Sequence, residues 1–402
     1  MMSDSISRRE LLKKASIFGA GSLFLPAFLS SCDDSVSFYE EFDVNFSGDV
    51  LVIGAGTAGL MAGHVLNQYG IDFQILEASS VFGGRVKKID SFADFPIDLG
   101  AEWIHTDPSI LATLLNNPDE TANIDIINYS PSELYIWKNG KLRKRNFFTN
   151  FYAEWKFKSS TWFDYLEDYI VPGISGRIIY NSPVTEIDYS GNRVRVTTNE
   201  STVYEADRVI VTVPLTILKK NLIDFVPSFP SEKTAAMEKV DMPDGIKVFM
   251  EFSERFYPEM LFDRGLIVDT LDGEKLYYDA TFGKDTDRNI FALFTVGEPA
   301  TVYAQFENDA DRIAYILNEL DEIFGDDASR TYIKHVTQNW SAEPYIQGSY
   351  THYDDYSVQS TLVEPIDNKI FFAGEAYPED SSTVHGAGQS AYEAVRLILE
   401  NG

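Results

Sequence analysis

Residues 49–77 read DVLVIGAGTAGLMAGHVLNQYGIDFQILE, and the fold turns on this stretch. The run Asp49–Ile53 is short, apolar and rich in β-branched residues, the pattern of a parallel strand buried on both faces. Gly54, Gly56 and Gly59 follow at GxGxxG spacing with Ala58 between them, and Leu60 to Tyr69 keeps helical spacing until Gly70 stops it. A second apolar run, Asp72–Leu76, ends in Glu77. Strand, glycine turn, helix, strand and acid in this order predict a Rossmann-type βαβ unit for a dinucleotide. Gly54 permits the tight turn, Gly56 lets backbone approach a pyrophosphate at the helix start, and Gly59 allows close helix–strand packing. Glu77 can accept hydrogen bonds from a ribose diol.

Upstream of this unit the chain changes character. Arg8 and Arg9 precede an apolar run from Ile17 to Leu29 that Pro26 interrupts. That run is short for a bilayer span, which needs ~20 apolar residues, and its basic flank makes it an expected export signal of the twin-arginine type. Leu29-Ser30-Ser31-Cys32 resembles a bacterial lipobox, which makes Cys32 the expected lipidation site and residues 1–32 a removable signal. The other reading is an ordinary amphipathic N-terminal helix. Residues 33–48, acidic and serine-containing with no clear period, read as a tether. The expected location is therefore the periplasm or cell envelope, with a lipid anchor as the membrane contact.

Composition limits the rest. The 402 residues hold 33 Lys and Arg against 62 Asp and Glu, a net charge of −29, which argues against nucleic acid as a partner. Residues 1–32 contain four basic and two acidic side chains, so the remainder carries −31. With 44% apolar and 14% aromatic residues, the chain can bury a large core. Its one cysteine excludes internal disulfides and a cysteine-rich metal site. No His/Asp/Glu spacing suggests a metal, and neither GxSxG nor HExxH occurs.

Downstream motifs identify the dinucleotide. Gly83-Gly84-Arg85 follows the second strand, Asp98 to His105 reads DLGAEWIH, Ala206 to Pro214 reads ADRVIVTVP, Ile370 to Glu375 reads IFFAGE, and Ser382 to Ala387 reads STVHGA. In this order they resemble the flavin-containing amine oxidases: monoamine oxidases, polyamine oxidases and the histone demethylase relatives. The resemblance covers nearly all of residues 49–400 and is nearest to polyamine-oxidase-like members. It implies noncovalent FAD held by Gly54, Gly56, Ala58, Gly59, Glu77, Gly84 and Arg85. Gly100, Ala101, Glu102 and Trp103 would pass beside the flavin ring, and Val184 would meet the adenine end through its backbone. Gly374 and Glu375 would meet the pyrophosphate and ribityl region, with Thr383 and Val384 by the ring at the start of a closing helix over Val384–Leu399. The sequence departs from the family at Ala78–Phe82, where arginines usually stand.

The same resemblance places a reaction centre. Lys247 matches the family lysine that holds a water near the flavin, and a lysine in an otherwise apolar strand has a desolvated ammonium. The alternative is an edge-strand lysine facing solvent. Ser349 stands where monoamine oxidases carry the cysteine bonded to flavin, so no thioether is expected. Tyr350 matches one wall of an aromatic cage, and Thr383 occupies the place of the second tyrosine. His105 and Trp340 complete the expected substrate contacts, with flavin-side packing as the competing role for Trp340 and a structural role for His105. His385 reads as structural.

The map is interleaved. An FAD-binding domain is expected at 49–105, 176–230 and 339–402, and an α+β substrate domain at 106–175 and 231–338. The basic run Lys141–Arg145 reads as a solvated loop, and Trp137, Trp155 and Trp162 read as core rather than pocket. The implied activity is oxidative deamination of an amine, with a polyamine or other cationic amine favoured because an acidic protein concentrates cations. Oxygen or another acceptor would take the electrons. An L-amino-acid oxidase would need an arginine for the substrate carboxylate, with Arg143, Arg145 and Arg177 to examine; a desaturase-like flavoprotein and a noncatalytic lipoprotein with the same fold are the other readings.

Overall fold

The computed structural model describes residues 39, 41–144, 154–263, 273–353 and 355–401. The export signal, Cys32 and Arg145 lie outside the described residues.

A five-stranded, all-parallel sheet stands at the centre, in the order Ile178–Ile179, Asp72–Leu76, Asp49–Ile53, Arg208–Val211, Ile370–Phe372. The register aligns Ile75, Val52, Ile210 and Phe371 in one row. Alternation along the first strand sends Val50 and Val52 to one core and Leu51 and Ile53 to the other. Both faces are therefore covered, which explains the unbroken apolar run. The helices Thr57–Gln68 and Val384–Glu400 pack on one face with Leu60, Met61, Ala391 and Val395 between them. A four-stranded sheet, Val203–Ala206, Val194–Thr198, Val184–Asp188 and Asp224–Val226, packs toward the other face.

The second layer is a seven-stranded sheet in the order Tyr332–Asn339, Gly245–Phe252, Asn289–Gly297, Gly273–Asp279, Met260–Asp263, Leu134–Lys138, Lys141–Lys144. Gly245–Phe252 is an interior strand with all eight residues buried, so Lys247 is not an edge-strand lysine. The basic run expected to be a loop is instead the edge strand Lys141–Lys144. Its cations are exposed and serve to discourage pairing with another chain, a role that hid its strand character in the sequence. Helix Asp309–Phe324 covers this sheet, capped by the Asn308 side chain accepting from Asp311 N–H at 2.9 Å.

Two further assignments change. The described part of residues 33–48 is not a free tether: Tyr39 stacks on Tyr392 at 4.0 Å, Phe42 stacks on Tyr69 at 4.4 Å, and Asn45 and Phe46 donate to Leu399 O at 2.7 and 3.2 Å. Three aromatic side chains are enough to hold such a segment down, and their irregular spacing gave no periodic signal. The insert 106–175 also divides its packing. Leu134–Lys138 and Lys141–Lys144 join the seven-stranded sheet, while Leu111, Leu114, Leu115, Trp162 and Tyr165 pack in the same core as Val52 and Leu60. Trp162 is fully buried, its Nε1 donating to Trp103 O at 3.2 Å.

Candidate active site

One cavity of about 1620 Å³ runs from the glycine turn at 54–58 through to Lys247, and every residue singled out in the sequence as a cofactor or substrate contact lines it except Gly59. Gly59 lies behind the turn, where a Cβ would stand 1.8 Å from Gly54 O, so its role is packing. The helix Thr57–Gln68 begins at Gly56 without a side-chain cap, leaving its positive end toward the cavity. Gly83 N–H donates to Ala55 O at 2.8 Å and sets Gly84 against Gly56. A Cβ on Gly84, whose φ is +59°, would come within 3.3 Å of Gly56 Cα. Glu77 is nearly buried at the end of its strand; Oε2 accepts from Ala55 N–H at 2.6 Å and Oε1 from Ser79 N–H at 2.8 Å. The acid thus holds the glycine turn in shape while facing the same cavity. Thr212, which the sequence reading passed over, ties the turn from behind by donating to Ile53 O at 2.8 Å.

Motifs from opposite ends of the chain meet on the next wall. Arg85 Nη1 donates to Glu375 Oε1 at 2.8 Å and to Ser349 O at 3.0 Å. Glu375 also accepts from Thr351 Oγ1 at 2.7 Å, Thr351 N–H at 3.2 Å and Ser382 N–H at 3.1 Å. Its charge is therefore matched before any phosphate arrives. Gly374 N–H donates to Ser390 Oγ at 2.9 Å. Thr383 caps the closing helix, its Oγ1 accepting from Gly386 N–H at 3.0 Å and donating to Asp380 O at 2.6 Å. The 17-residue helix Val384–Glu400 thus starts at the cavity wall with its positive end inward. The arginines missing from Ala78–Phe82 have no replacement in that turn; of the cavity's cations after it, Arg85 is paired with Glu375, Lys87 with Glu343 at 3.0 Å and Lys88 with Asp164.

The deepest wall carries a buried ionic cluster. Lys247 Nζ donates to Glu102 Oε2 at 2.6 Å, Asp98 O at 2.9 Å and Gly100 O at 3.1 Å, which accounts for all three ammonium protons. Lys156 Nζ reaches Glu102 Oε1 at 2.5 Å, and Tyr278 Oη donates to Oε2. Burial raises the Glu102 carboxyl, but the Lys156 and Lys247 ammoniums outweigh it and hold the group at about 2. Burial and the neighbouring Glu102 charge push Asp98 well above the usual carboxylate range, against the pull of the lysines. Burial, and then repulsion by Lys156, bring Lys284 down to about 8. The Lys156 ammonium sits 4.7 Å from the Trp103 ring, 5.1 Å from Tyr278 and 5.3 Å from Tyr129, where aromatic faces replace water. Neither Lys156 nor Tyr278 was singled out from sequence; a lysine between aromatic residues in EWKF was the available signal.

The remaining candidates fall beside this cluster. Trp340 donates from Nε1 to Leu99 O at 3.2 Å and packs against Gly100, which favours its packing role, while Tyr350 is half-buried in the cavity wall. Ser349 Oγ donates to Pro243 O at 2.8 Å. His105 Nδ1 lies 3.2 Å from Glu154 Oε2. His385 is buried within the helix start, 3.5 Å from Thr383 Oγ1, and does not line the cavity. The residues fit FAD: an uncapped helix start and close-packed glycines for a pyrophosphate, an acid for a ribose, and a continuous cavity that reaches the Lys247–Glu102 pair.

Comparison with known proteins agrees with this geometry. The family model described as flavin containing amine oxidoreductase matches residues 57–157 and 156–399. Polyamine oxidase 4 of Oryza sativa subsp. japonica is 24% identical over 476 residues, covering 95% of this chain and 93% of that protein. Polyamine oxidase 3 of the same organism is 26% identical over 442 residues, covering 87% and 90%. A solved mutant of putrescine oxidase superposes with a TM-score of 0.73 at 15% identity over 89% of this chain and 100% of that one, a likeness of fold. Architecture, cavity and family match together make this chain a member of the flavin-containing amine oxidoreductases, an FAD-dependent enzyme that oxidises amines.

Proposed function

We propose that the substrate is a cationic aliphatic amine of the polyamine class and that oxygen is the electron acceptor. The chemistry that bound FAD would supply is acceptance of a hydride from the carbon beside the nitrogen, so that water would hydrolyse the imine and oxygen would be reduced to hydrogen peroxide. The observation that carries this reading is the charge of the cavity wall. Among the described residues Arg85 is its one arginine, and it is committed to Glu375 and Ser349 O. Arg177 pairs with Asp72 outside the cavity, and Arg143 lies on the exposed edge strand. Among the described residues eight acids line the wall, Asp241, Glu274 and Glu379 among them, against Arg85, Lys87, Lys88 and Lys247. A substrate carboxylate would meet acids without a free guanidinium, whereas a substrate ammonium would be drawn in.

The chain's own contribution is to orient the amine and exclude water. Tyr350 and Phe294 supply apolar walls, Thr383 leaves the cage open on one side, and the Lys247–Glu102–Lys156 cluster keeps fixed charge under that wall. Export and anchoring through Cys32 belong to the same proposal and are supported by the signal-like N-terminus; Cys32→Ser should move the protein from the membrane fraction to the soluble one.

The test is an anaerobic panel of diamines, polyamines, monoamines and amino acids mixed with purified yellow protein. Cationic amines should bleach the flavin, and readmitted oxygen should restore it with one equivalent of peroxide. Bleaching by amino acids alone, or by no amine, overturns the reading.

A further inference from the structure

We propose that docking of the N-terminal segment at residues 39–46 and binding of FAD favour one another, and that Tyr39 and Phe42 are positioning residues of the cofactor site although neither lines the cavity. The inference concerns the cofactor alone, so it holds whichever amine is oxidised. Two helices carry it: Thr57–Gln68, which leads out of the glycine turn, and the closing helix Val384–Glu400.

The aromatic rings of the segment join these helices. Tyr39 stacks on Tyr392 at 4.0 Å, while Phe42 stacks on Tyr69 at 4.4 Å and meets the edge of Tyr392 at 5.6 Å. Tyr392 belongs to the closing helix and Tyr69 caps the end of Thr57–Gln68, so Phe42 bridges the two. The backbone is fixed as well. Tyr39 N–H donates to Asn116 Oδ1 at 3.0 Å, Asn45 and Phe46 N–H share Leu399 O, and Asn45 Nδ2 donates to Glu400 O at 3.1 Å. Phe46 is buried in the same core as Met61 and Val395. Tyr39 Oη is buried and has no hydrogen-bond partner among the described residues, so the ring and not the hydroxyl makes the contact.

The same two helices present their positive ends to the cavity. Gly56, Thr57 and Ala58 line it at the start of one, and Thr383, Val384 and Ala387 at the start of the other. Further along the closing helix, Ser390 Oγ accepts from Gly374 N–H at 2.9 Å and so holds the loop expected to meet the pyrophosphate. Ala387, Ser390 and Tyr392 lie within two turns of one helix, which places cavity, cofactor loop and docked segment in succession on a single rigid element. Met61, Ala391 and Val395 pack the helices together. Such a core is close-packed, so a tilt of either helix is felt at its far end. A ligand held between the helix starts and a segment bridging Tyr69 and Tyr392 both favour the same helix pairing. Two events that favour one arrangement are coupled, and the coupling is reciprocal: the factor that docking adds to FAD affinity is the factor that FAD adds to docking.

The experiment measures the dissociation constant of FAD from the free-flavin fluorescence of serially diluted holoenzyme. It compares the wild type with Tyr39→Phe, Phe42→Ala, the double variant Tyr39→Ala/Phe42→Ala, and Leu320→Ala, which opens a fully buried position between helix Asp309–Phe324 and the seven-stranded sheet. The double variant should bind FAD about 10-fold more weakly, the ordinary scale of coupling between sites. Tyr39→Phe should match the wild type. Leu320→Ala should lower the urea midpoint and leave FAD affinity unchanged. In the reciprocal measurement, amide exchange at Asn45 and Phe46 of the wild type should be about 10-fold faster after FAD is withdrawn than at saturating FAD, with the amides of Asp309–Phe324 unchanged. Unaltered affinity in the double variant, equal weakening by Leu320→Ala, or exchange at Asn45 and Phe46 that ignores FAD or rises only with every other amide overturns the proposal. Should the double variant fail to fold, Phe42→Ala and the wild-type exchange decide.

Discussion

Lys247 and Glu102 form a buried ion pair 2.6 Å long, and the second oxygen of the same carboxylate belongs to Lys156 at 2.5 Å. Two cations share one anion, and burial, with the neighbouring Glu102 charge, pushes the Asp98 carboxyl beside them upward. The Lys247–Glu102–Lys156 set alone therefore holds two ammoniums against one carboxylate under the cavity wall.

An asymmetry follows for mutagenesis. Lys247→Met leaves Glu102 with Lys156 and Tyr278, a balanced pair, so the protein should fold, stay yellow and lose about 1–3 kcal/mol, the scale of a hydrogen bond to a charged group. Its flavin reduction or reoxidation should slow sharply. Glu102→Gln instead leaves two lysines buried without an anion, and should cost about 3–5 kcal/mol. Urea unfolding of the two variants settles the order; equal losses would remove the shared-anion account, and unchanged half-reactions in Lys247→Met would remove its role at the flavin.

Acid stability should report the same cluster. The Glu102 carboxyl is lowered from 4.5 to about 2 in the folded protein, so its contribution is complete above pH 4.5 and is lost as the pH falls toward 2. The difference is worth roughly 3 kcal/mol. Asp98, raised by burial, acts with the opposite sign and favours the folded state at lower pH. Between pH 5 and pH 3 the urea midpoint of the wild type should therefore fall more steeply than that of Glu102→Gln. Parallel curves would show that Glu102 does not titrate as described.

Two glycine variants separate packing from backbone strain. Gly59→Ala would put a Cβ 1.8 Å from Gly54 O and 3.1 Å from Thr212 Oγ1, forcing helix and strand apart. A loss of about 3 kcal/mol with weakened FAD binding is expected. Gly70→Ala meets nothing within 4 Å and suffers only from its φ of +69°, about 1 kcal/mol with FAD binding intact. Thermal unfolding and flavin retention on desalting distinguish them, and similar behaviour of the two would contradict the close-packing role.

The parts of this molecule that sequence reveals are those whose chemistry is local. Gly54, Gly56, Gly59 and Glu77 lie within 24 residues, and strand, turn and helix each impose their own residue types there. The closing helix at Val384 was visible through the family resemblance of Ser382–Ala387, and its Thr383 cap emerges from the structure. The ionic cluster was not, because Glu102, Lys156, Lys247 and Tyr278 come from four separate strands or loops in two different sheets, and only the packing of those sheets brings them together. Lys141–Lys144 was misread because an exposed edge strand loses the apolar alternation by which strands are recognised. Tyr39, Phe42 and Phe46 escaped for a related reason: a docked segment without regular structure has no period to detect.

Ser349 gives the final prediction. It is buried at the cavity wall, Oγ donating to Pro243 O at 2.8 Å and Cβ close against Gly245. A hydroxyl bonded to a carbonyl has neither the acidity nor the nucleophilicity of a thiolate, so it cannot form a thioether to the flavin. The cofactor should be held by the glycine turn, Glu77, the two inward helix ends and shape alone. Acid precipitation of the purified protein should therefore leave all flavin in the supernatant and a colourless pellet. Flavin retained in the pellet after washing would show a covalent bond at some other residue and overturn the noncovalent assignment.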